Sequence, residues 1–416
     1  MNVFRMAWRN VWRNHRRSTI TIAAMTLALV VELLYSGMVA GMMLGMEDDV
    51  TEYELGDVQV FATGYLTRPS LYDAVESPDT IVQTLQDAGY QATPRLYAGG
   101  LAGAGDASSG VAFVGIDPTR DAATLSLSDA LAEGTWLDDT DPTGVVIGRG
   151  LARTLGLELG SEVVVLSQAT DGSVASELFT VRGILLSVAA SMDRATILMT
   201  ESIFREMMVF PEGAHRIIVR RPKDVPLSEA KRVVMQAAGV PAVVPDGADP
   251  PTLDVMTWRE LSPFLAQWLD SAASVVVILY LIIYTTVGIL ILNAMLMAVF
   301  ERIREFGVLK AIGYSPFQVL TMMVTEGLIQ ATIATAAGIA LAAPGMFYLQ
   351  TYGVNVGALG GVQMIGMTMP AVWKGQFSVE SSAAPVVMLF VIAILAVLYP
   401  ALKAARVSPV EAMHHQ

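Results

Sequence analysis

Four apolar runs constrain this chain more than any other feature, because each approaches or exceeds the roughly 20 helical residues that cross a bilayer's hydrocarbon core. They lie at residues 20–45, 271–299, 318–349 and 384–400. Composition agrees: only 16% of the 416 residues are charged and 53% are hydrophobic, whereas soluble domains carry about 25% charged residues. The first run follows Arg5, Arg9, Arg13, Arg16 and Arg17. It is longer than the apolar core of a cleaved leader and has no small-residue cleavage site, so it reads as a retained anchor.

Arginine and lysine set the expected orientation. The basic amino-terminal helix (1–19), the segment after span two (300–317, with Arg302, Arg304 and Lys310) and the tail (401–416, with Lys403 and Arg406) are basic and read as cytoplasmic. Residues 46–270 and the loop 350–383 then lie outside. Residues 46–270 hold 33 acidic and 15 basic side chains, a net of −18, against +5 for the remainder. An acidic outer domain excludes nucleic acid as a partner. The absence of cysteine removes disulfides and thiolate metal sites. The four histidines form no ligand-spaced cluster, so no metal site and no catalytic residue is expected.

The outer domain reads as mixed α and β. "GDVQVFA" and "GVAFVGI" alternate as strands, and "SPDTIVQTLQDAGY" reads as a helix capped by Ser77 or Asp79. "HRIIVRR", "PLSEAKRVVMQAAGV" and "PAVVPD" read as strand, helix and closing strand. This gives two β-α-β halves with a β-rich insertion at about 117–205. Inside the insertion, "SEVVVLS" and "ELFTVRGIL" flank "TDGS", which predicts a hairpin turning at Gln168–Glu177.

The segment "FERIREFGVLKAIGYSP" (Phe300–Pro316) sets a charged helix between two spans. Glu301, Arg302, Arg304 and Glu305 share an arc of roughly 160° at 100° per residue, and Gly307 and Gly313 permit close approach. On its residues alone this helix reads as an interfacial anchor or as a contact surface. Gly37, Gly41 and Gly45, spaced by four, read as a face for close helix packing. Met38, Met42, Met43 and Met46 cover other faces, and Phe264, Leu265 and Trp268 stand opposite, before span two. Adaptable methionine and aromatic walls suit irregular apolar ligands, and Trp268 also suits an interfacial belt. Glu32, in the middle of span one, must face protein or a wet cavity. Tyr284, Thr285 and Asn293 are its candidate partners, in a structural hydrogen bond or a proton relay.

"ERIREFGVLKAIGYSPFQV" resembles the coupling-helix motif of the FtsX/MacB-type ABC transporter permeases. The tail "YPALKAARVSPVEAM" and the block "GVVIGRGLARTLGLELGSEVVVL" resemble the same family. "RMAWRNVWRNHRRSTITIAAMTLALVV" and "GDVQVFATGYLTRPSLYD" are most like its LolC/LolE lipoprotein-releasing branch. The resemblance covers nearly the whole chain. It implies four transmembrane α-helices and a large α+β extracytoplasmic domain with porter-like halves, in a bacterial inner membrane with that domain in the periplasm.

The resemblance also implies that Glu301, Arg302, Glu305, Phe306, Gly307, Lys310, Ala311 and Gly313 contact a cytoplasmic ABC ATPase dimer. That ATPase would be a separate chain carrying ATP and Mg, since none of the five lysines follows a glycine as a phosphate-binding loop requires. The chain itself is then no enzyme and holds no cofactor. A second permease, identical or homologous, and a periplasmic lipoprotein carrier or adaptor are the further partners, with membrane lipid around the spans. The implied activity is ATP-driven extraction of lipoproteins from the inner membrane by mechanotransmission, with substrate between the first two spans. MacB-like efflux of drugs, peptides or toxins is one alternative. An FtsX-like regulator of cell-wall hydrolases is another, disfavoured by the size of the outer domain.

Overall fold

The computed structural model describes residues 3–186, 190–241, 251–355, 363–364, 367–368 and 372–406. The expected strand "PAVVPD" lies almost wholly outside them, as does the end of the tail. Two compact units form. One contains the described residues up to Leu44 and, apart from the pairs at 363–364 and 367–368, those from Trp268 onward; the other is Gly45–Gln267 with those pairs.

Four helices, lying mostly in the first unit, are long and apolar enough to cross a membrane. They start at His15, Pro263, Pro316 and Ser381, with mean hydropathy of 1.9, 2.8, 1.5 and 2.6. Lipid offers backbone groups no hydrogen bonds, so each span satisfies its own. Large apolar side chains point outward all round, among them Leu27, Val31, Ile278, Ile282, Leu341 and Leu395. Inside, Leu29, Leu33, Tyr284, Met295, Met322 and Val397 share one core. Small residues let the helices close on one another. A Cβ on Gly327 would sit 2.7 Å from Val397, and one on Gly338 would sit 2.9 Å from Leu29.

The second unit contains a ten-stranded sheet: β1 Val58–Ala62, β2 Gln91–Ala104, β3 Ala107–Ile116, β4 Leu131–Gly134, β5 Gly144–Gly148, β6 Glu162–Gln168, β7 Val174–Leu185, β8 Thr196–Thr200, β9 Arg216–Arg220 and β10 Leu253–Thr257. β10, β1, β9 and β2 pair antiparallel in that order. Helices Pro78–Asp87 and Leu227–Ala237 bury Ile81, Leu85, Ala230 and Val234 with Val58, Val60 and Ile217. Ser77 occupies the first helix's cap position but makes no capping hydrogen bond, and Asp79 pairs with Arg120 instead. The second half closes on β10.

Beyond β2 the strands form a ring. β2 pairs with β3, β3 with β8, β8 with β5, β5 with β7, β7 with β6, and β6 returns to β2. A closed ring leaves no open edge among its members. Phe113, Ile147, Val163, Val165, Phe179 and Ile197 fill it. The expected insertion therefore does not stand apart. Its strands close on the long β2, whose first residues pair with β9 and whose last ten pair with β3. Where β6 crosses β2, a Cβ on Gly100 would lie 2.3 Å from the Leu166 carbonyl oxygen.

Two buried polar groups tie this unit together. Arg95 donates from Nε to Asp121 Oδ1 at 2.7 Å and from Nη2 to Oδ2 at 2.9 Å, both side chains being shut off from solvent. His215 accepts from the Tyr97 amide at Nδ1, 3.0 Å, leaving Nε2 to donate to the Leu71 carbonyl at 3.2 Å. Burial pushes its pKa down from 6.5 to about 4, so the ring stays neutral.

Breaking the buried ion pair strands a charge, so Asp121→Ala should cost about 3–5 kcal/mol, while Arg95→Met with Asp121→Leu should lose much less. Chemical unfolding of the three proteins measures this. For His215 the unfolded state binds the proton first. Its contribution is therefore full above the unfolded pKa of 6.5 and is lost as pH falls toward 4, on the order of 3 kcal/mol in all. Thermal unfolding from pH 7 to 4 should show a slope that His215→Gln removes.

Candidate functional site

The segment between spans two and three contains its own punctuation. The second span's helix ends at Glu301, and a short helix, Ile303–Ala311, follows the break at Arg302. Gly313 adopts φ +103, a left-handed conformation that favours glycine. The Tyr314 amide donates to the Leu309 carbonyl and the Gly313 amide to that of Lys310, both at 3.0 Å. These two bonds form a Schellman stop. The third span then starts with a capping box. The Ser315 hydroxyl accepts from the Gln318 amide at 3.2 Å, and the Ser315 amide donates to Gln318 Oε1 at 2.9 Å. Pro316 stands in its first turn.

The short helix is held from two sides. Arg13 donates from Nη2 to both Glu305 oxygens, at 2.7 and 2.8 Å. Arg17 donates to Glu301 at 2.9 Å, with Asn14 at 3.4 Å. On the other side the Lys310 ammonium donates to the Ala405 carbonyl, and Lys403 sits 4.5 Å from the Phe300 ring centroid. Arg302 joins Glu305 at 2.9 Å to Glu326 of the third span's helix at 3.5 Å. Burial works against an ionised Glu305, but Arg13 and Arg302 together outweigh it and hold its pKa below the usual value. Burial alone lowers the pKa of Lys310. A cleft of about 450 Å³ between the amino-terminal and short helices is lined by Met6, Asn10, Arg13, Arg304, Val308 and Met322.

The residues expected at an ATPase contact therefore divide. Phe306 and Gly307 are buried in the helix bundle. Glu301, Arg302, Glu305 and Lys310 are engaged within the chain. Ala311 and Gly313 are exposed, beside Val308, Ile312 and Phe317, of which the last two are each 74% exposed. Arg13, which fastens this helix, and Arg17, which fastens Glu301 just before it, are missing from the sequence-based set. They stand 284–292 residues from their partners, and the only hint is a row of arginines facing a pair of glutamates.

The glycine face meets an unexpected neighbour. A Cβ on Gly37 would lie 1.9 Å from Phe377, and one on Gly41 would lie 2.0 Å from the Lys374 carbonyl oxygen. The Gln376 amide donates to the Gly37 carbonyl at 2.8 Å. The segment packed there is the run of 374–377 before the fourth span, and Gly45 has nothing within 4 Å of its Cβ position. Met38, Met42, Met43 and Trp268 are half-buried in the membrane unit. In the other unit Met46 and Leu265 are buried, and Phe264 is exposed. Neither Glu32 oxygen has a hydrogen-bond partner among the described residues. The Tyr284 hydroxyl, a candidate for that role, donates to the Pro385 carbonyl at 2.8 Å. The β6–β7 hairpin forms as expected, but its tip is tied down. The Thr170 amide donates to the Met208 carbonyl at 3.0 Å, and the Tyr72 hydroxyl donates to the Thr170 carbonyl at 3.0 Å. No group of acidic, histidine or cysteine residues is placed to hold a metal among the described residues.

Two family models match. The MacB-like periplasmic core domain covers residues 18–237, and the FtsX-like permease C-terminal domain covers 277–409. An uncharacterized ABC transporter permease of Methanocaldococcus jannaschii is 23% identical over 290 residues, 68% of this chain and 65% of that one, just under two thirds of its length. The lipoprotein-releasing system transmembrane protein LolC of Neisseria meningitidis serogroup B is 23% identical over 333 residues, 76% of this chain and 75% of that one. The crystal structure of the periplasmic region of MacB from Actinobacillus actinomycetemcomitans aligns at TM-score 0.36 and 16% identity, covering 53% of this chain and 95% of that one. With one family model matching more than half of its length and a second matching its last three spans, the chain belongs to the FtsX/MacB-type ABC transporter permeases.

Proposed function

We propose that this permease extracts lipoproteins from the outer leaflet of a bacterial inner membrane, driven by ATP hydrolysed on a separate cytoplasmic ATPase dimer bearing Mg. The observation that carries the coupling part is the fastening of the Ile303–Ala311 helix. Ion pairs and hydrogen bonds join it, together with Glu301 and Arg302 just before it, to the amino-terminal helix, to the helices of the first and third spans and to the end of the fourth. A push on its exposed Val308–Ile312 face would reach those helices together. The ATPase meets that face, and a second permease, identical or homologous, completes the machine. The lipoprotein reading is supported by the relation to LolC across three quarters of both chains. The match to the MacB-like core domain favours a second reading, efflux of a drug, peptide or toxin through an adaptor.

Substrate identity separates the two. A photo-crosslinker at Met43 or Phe264, in membranes containing the partner chains, should capture a lipoprotein. Capture of a soluble peptide or drug, with the ATPase competent, establishes the efflux reading. Phe264 is the better probe than Leu265, which is buried and would not tolerate the reagent.

Charge reversal tests the coupling. Arg13–Glu305 is half-exposed, so the pair is worth at most about 1 kcal/mol, and its loss should leave folding intact. Arg13→Glu or Glu305→Arg should lower transport per ATP by roughly fivefold, and the double reversal should restore it. Equal loss in all three variants would show that the pair does not position the helix.

The hairpin tip, tied through Thr170 to Met208 and Tyr72, is not expected to recruit the carrier. Replacing Asp171 and Ser173 with alanine should leave recruitment of a periplasmic carrier unchanged in a pull-down. Loss of recruitment would place the carrier contact at this tip.

A further inference from the structure

The amino-terminal helix Val3–Arg13 has three separate faces. Ala7 and Val11 are fully buried in the membrane unit's core. Met6 and Asn10 continue that inner face, Asn10 contacting the Met322 sulfur at 3.9 Å and Met6 the Tyr314 hydroxyl at 3.5 Å. Phe4, Trp8 and Trp12 form an outer stripe at helical spacing, 56%, 45% and 54% exposed. At 100° per residue this stripe spans about 80°, and Arg5 and Arg9 follow within roughly another 60°. Both arginines are exposed and make no ion pair among the described residues. Arg13, at the end of the same helix, is the residue that holds Glu305.

Three large aromatic groups left in water beside two unpaired arginines would be costly to a free cytoplasmic helix. The same order of groups suits a membrane interface, where tryptophan rings sit at headgroup level and arginine meets lipid phosphate. The next helix begins at His15 and runs into the first span, so the stripe lies a few residues from the chain's entry into lipid. We infer that the Phe4–Trp8–Trp12 face with Arg5 and Arg9 docks on an anionic lipid surface, and that this docking holds Arg13 in place against the coupling helix. The inference depends on the chain spanning a membrane and not on which substrate it moves. Each arginine near such a surface favours anionic over neutral lipid by roughly fivefold, so the pair should give about 25-fold.

The test uses the permease assembled with its ATPase in nanodiscs of phosphatidylcholine, with or without phosphatidylglycerol, carrying bromine on the chains of one lipid or the other. Emission lost in Trp8→Phe/Trp12→Phe isolates these two indoles from the other four tryptophans. Their emission should be quenched, and more strongly by brominated phosphatidylglycerol. Arg5→Gln/Arg9→Gln should remove that headgroup preference and the dependence of transport per ATP on phosphatidylglycerol. Equal quenching by both lipids overturns the anionic preference. Protection from both lipids overturns the proposal and marks this face as a protein contact. Quenching with a headgroup preference but no effect on coupling overturns the link to Arg13.

Discussion

A backbone amide inside hydrocarbon can hydrogen-bond only within the chain, and the rest of this permease follows from that constraint. It makes each span a helix that satisfies itself. It favours ending those helices where the freed backbone groups can be capped. The Gly313 stop and the Ser315–Gln318 box are such caps, two residues apart. Between Arg302 and Gly313 the chain has only the length of one short helix, so whatever moves that helix moves the spans that follow it.

Ion pairs between helices fasten the segment around that short helix. Arg13 reaches it from the amino-terminal helix, Arg17 holds Glu301 just before it, Arg302 at its start connects to Glu326, and Lys310 connects it to Ala405. Exposed pairs such as Arg13–Glu305 add little stability. Their use here is geometric: Arg13 Nη2 reaches both Glu305 oxygens and ties the two helices together at that point. The Arg95–Asp121 pair differs in kind. It is sealed from water inside the outer domain, where losing one partner would leave a bare charge.

Much of the fold was legible in local pattern. Apolar runs gave the spans, alternation gave "GVAFVGI" and the hairpin around "TDGS", and "KAIGYSP" carries the stop and start of two helices in seven letters. The site was less legible. The motif falls on a helix that forms, but a motif does not say which side faces the bundle. Phe306 and Gly307 turned inward, while Val308 and Ile312 remained exposed. Leu265 and Phe264 are neighbours in sequence and opposite in burial.

The sequence by itself determined whatever depends on neighbours a few residues apart: the positions of the spans, the charge asymmetry and the positive backbone angle at Gly313. Only the tertiary structure decided what depends on groups meeting across hundreds of residues. It closed six strands into a ring through the contact of Leu101–Gly103 with Val164–Leu166. It set Phe377 against Gly37, where a helix was expected. It gave the Tyr284 hydroxyl to Pro385, leaving Glu32 without a hydrogen bond among the described residues. It joined Arg13 to Glu305. The physical reason is that local hydrogen bonds and side-chain periodicity are written into consecutive residues, whereas a distant partner is selected by packing, among many residues of similar charge and size.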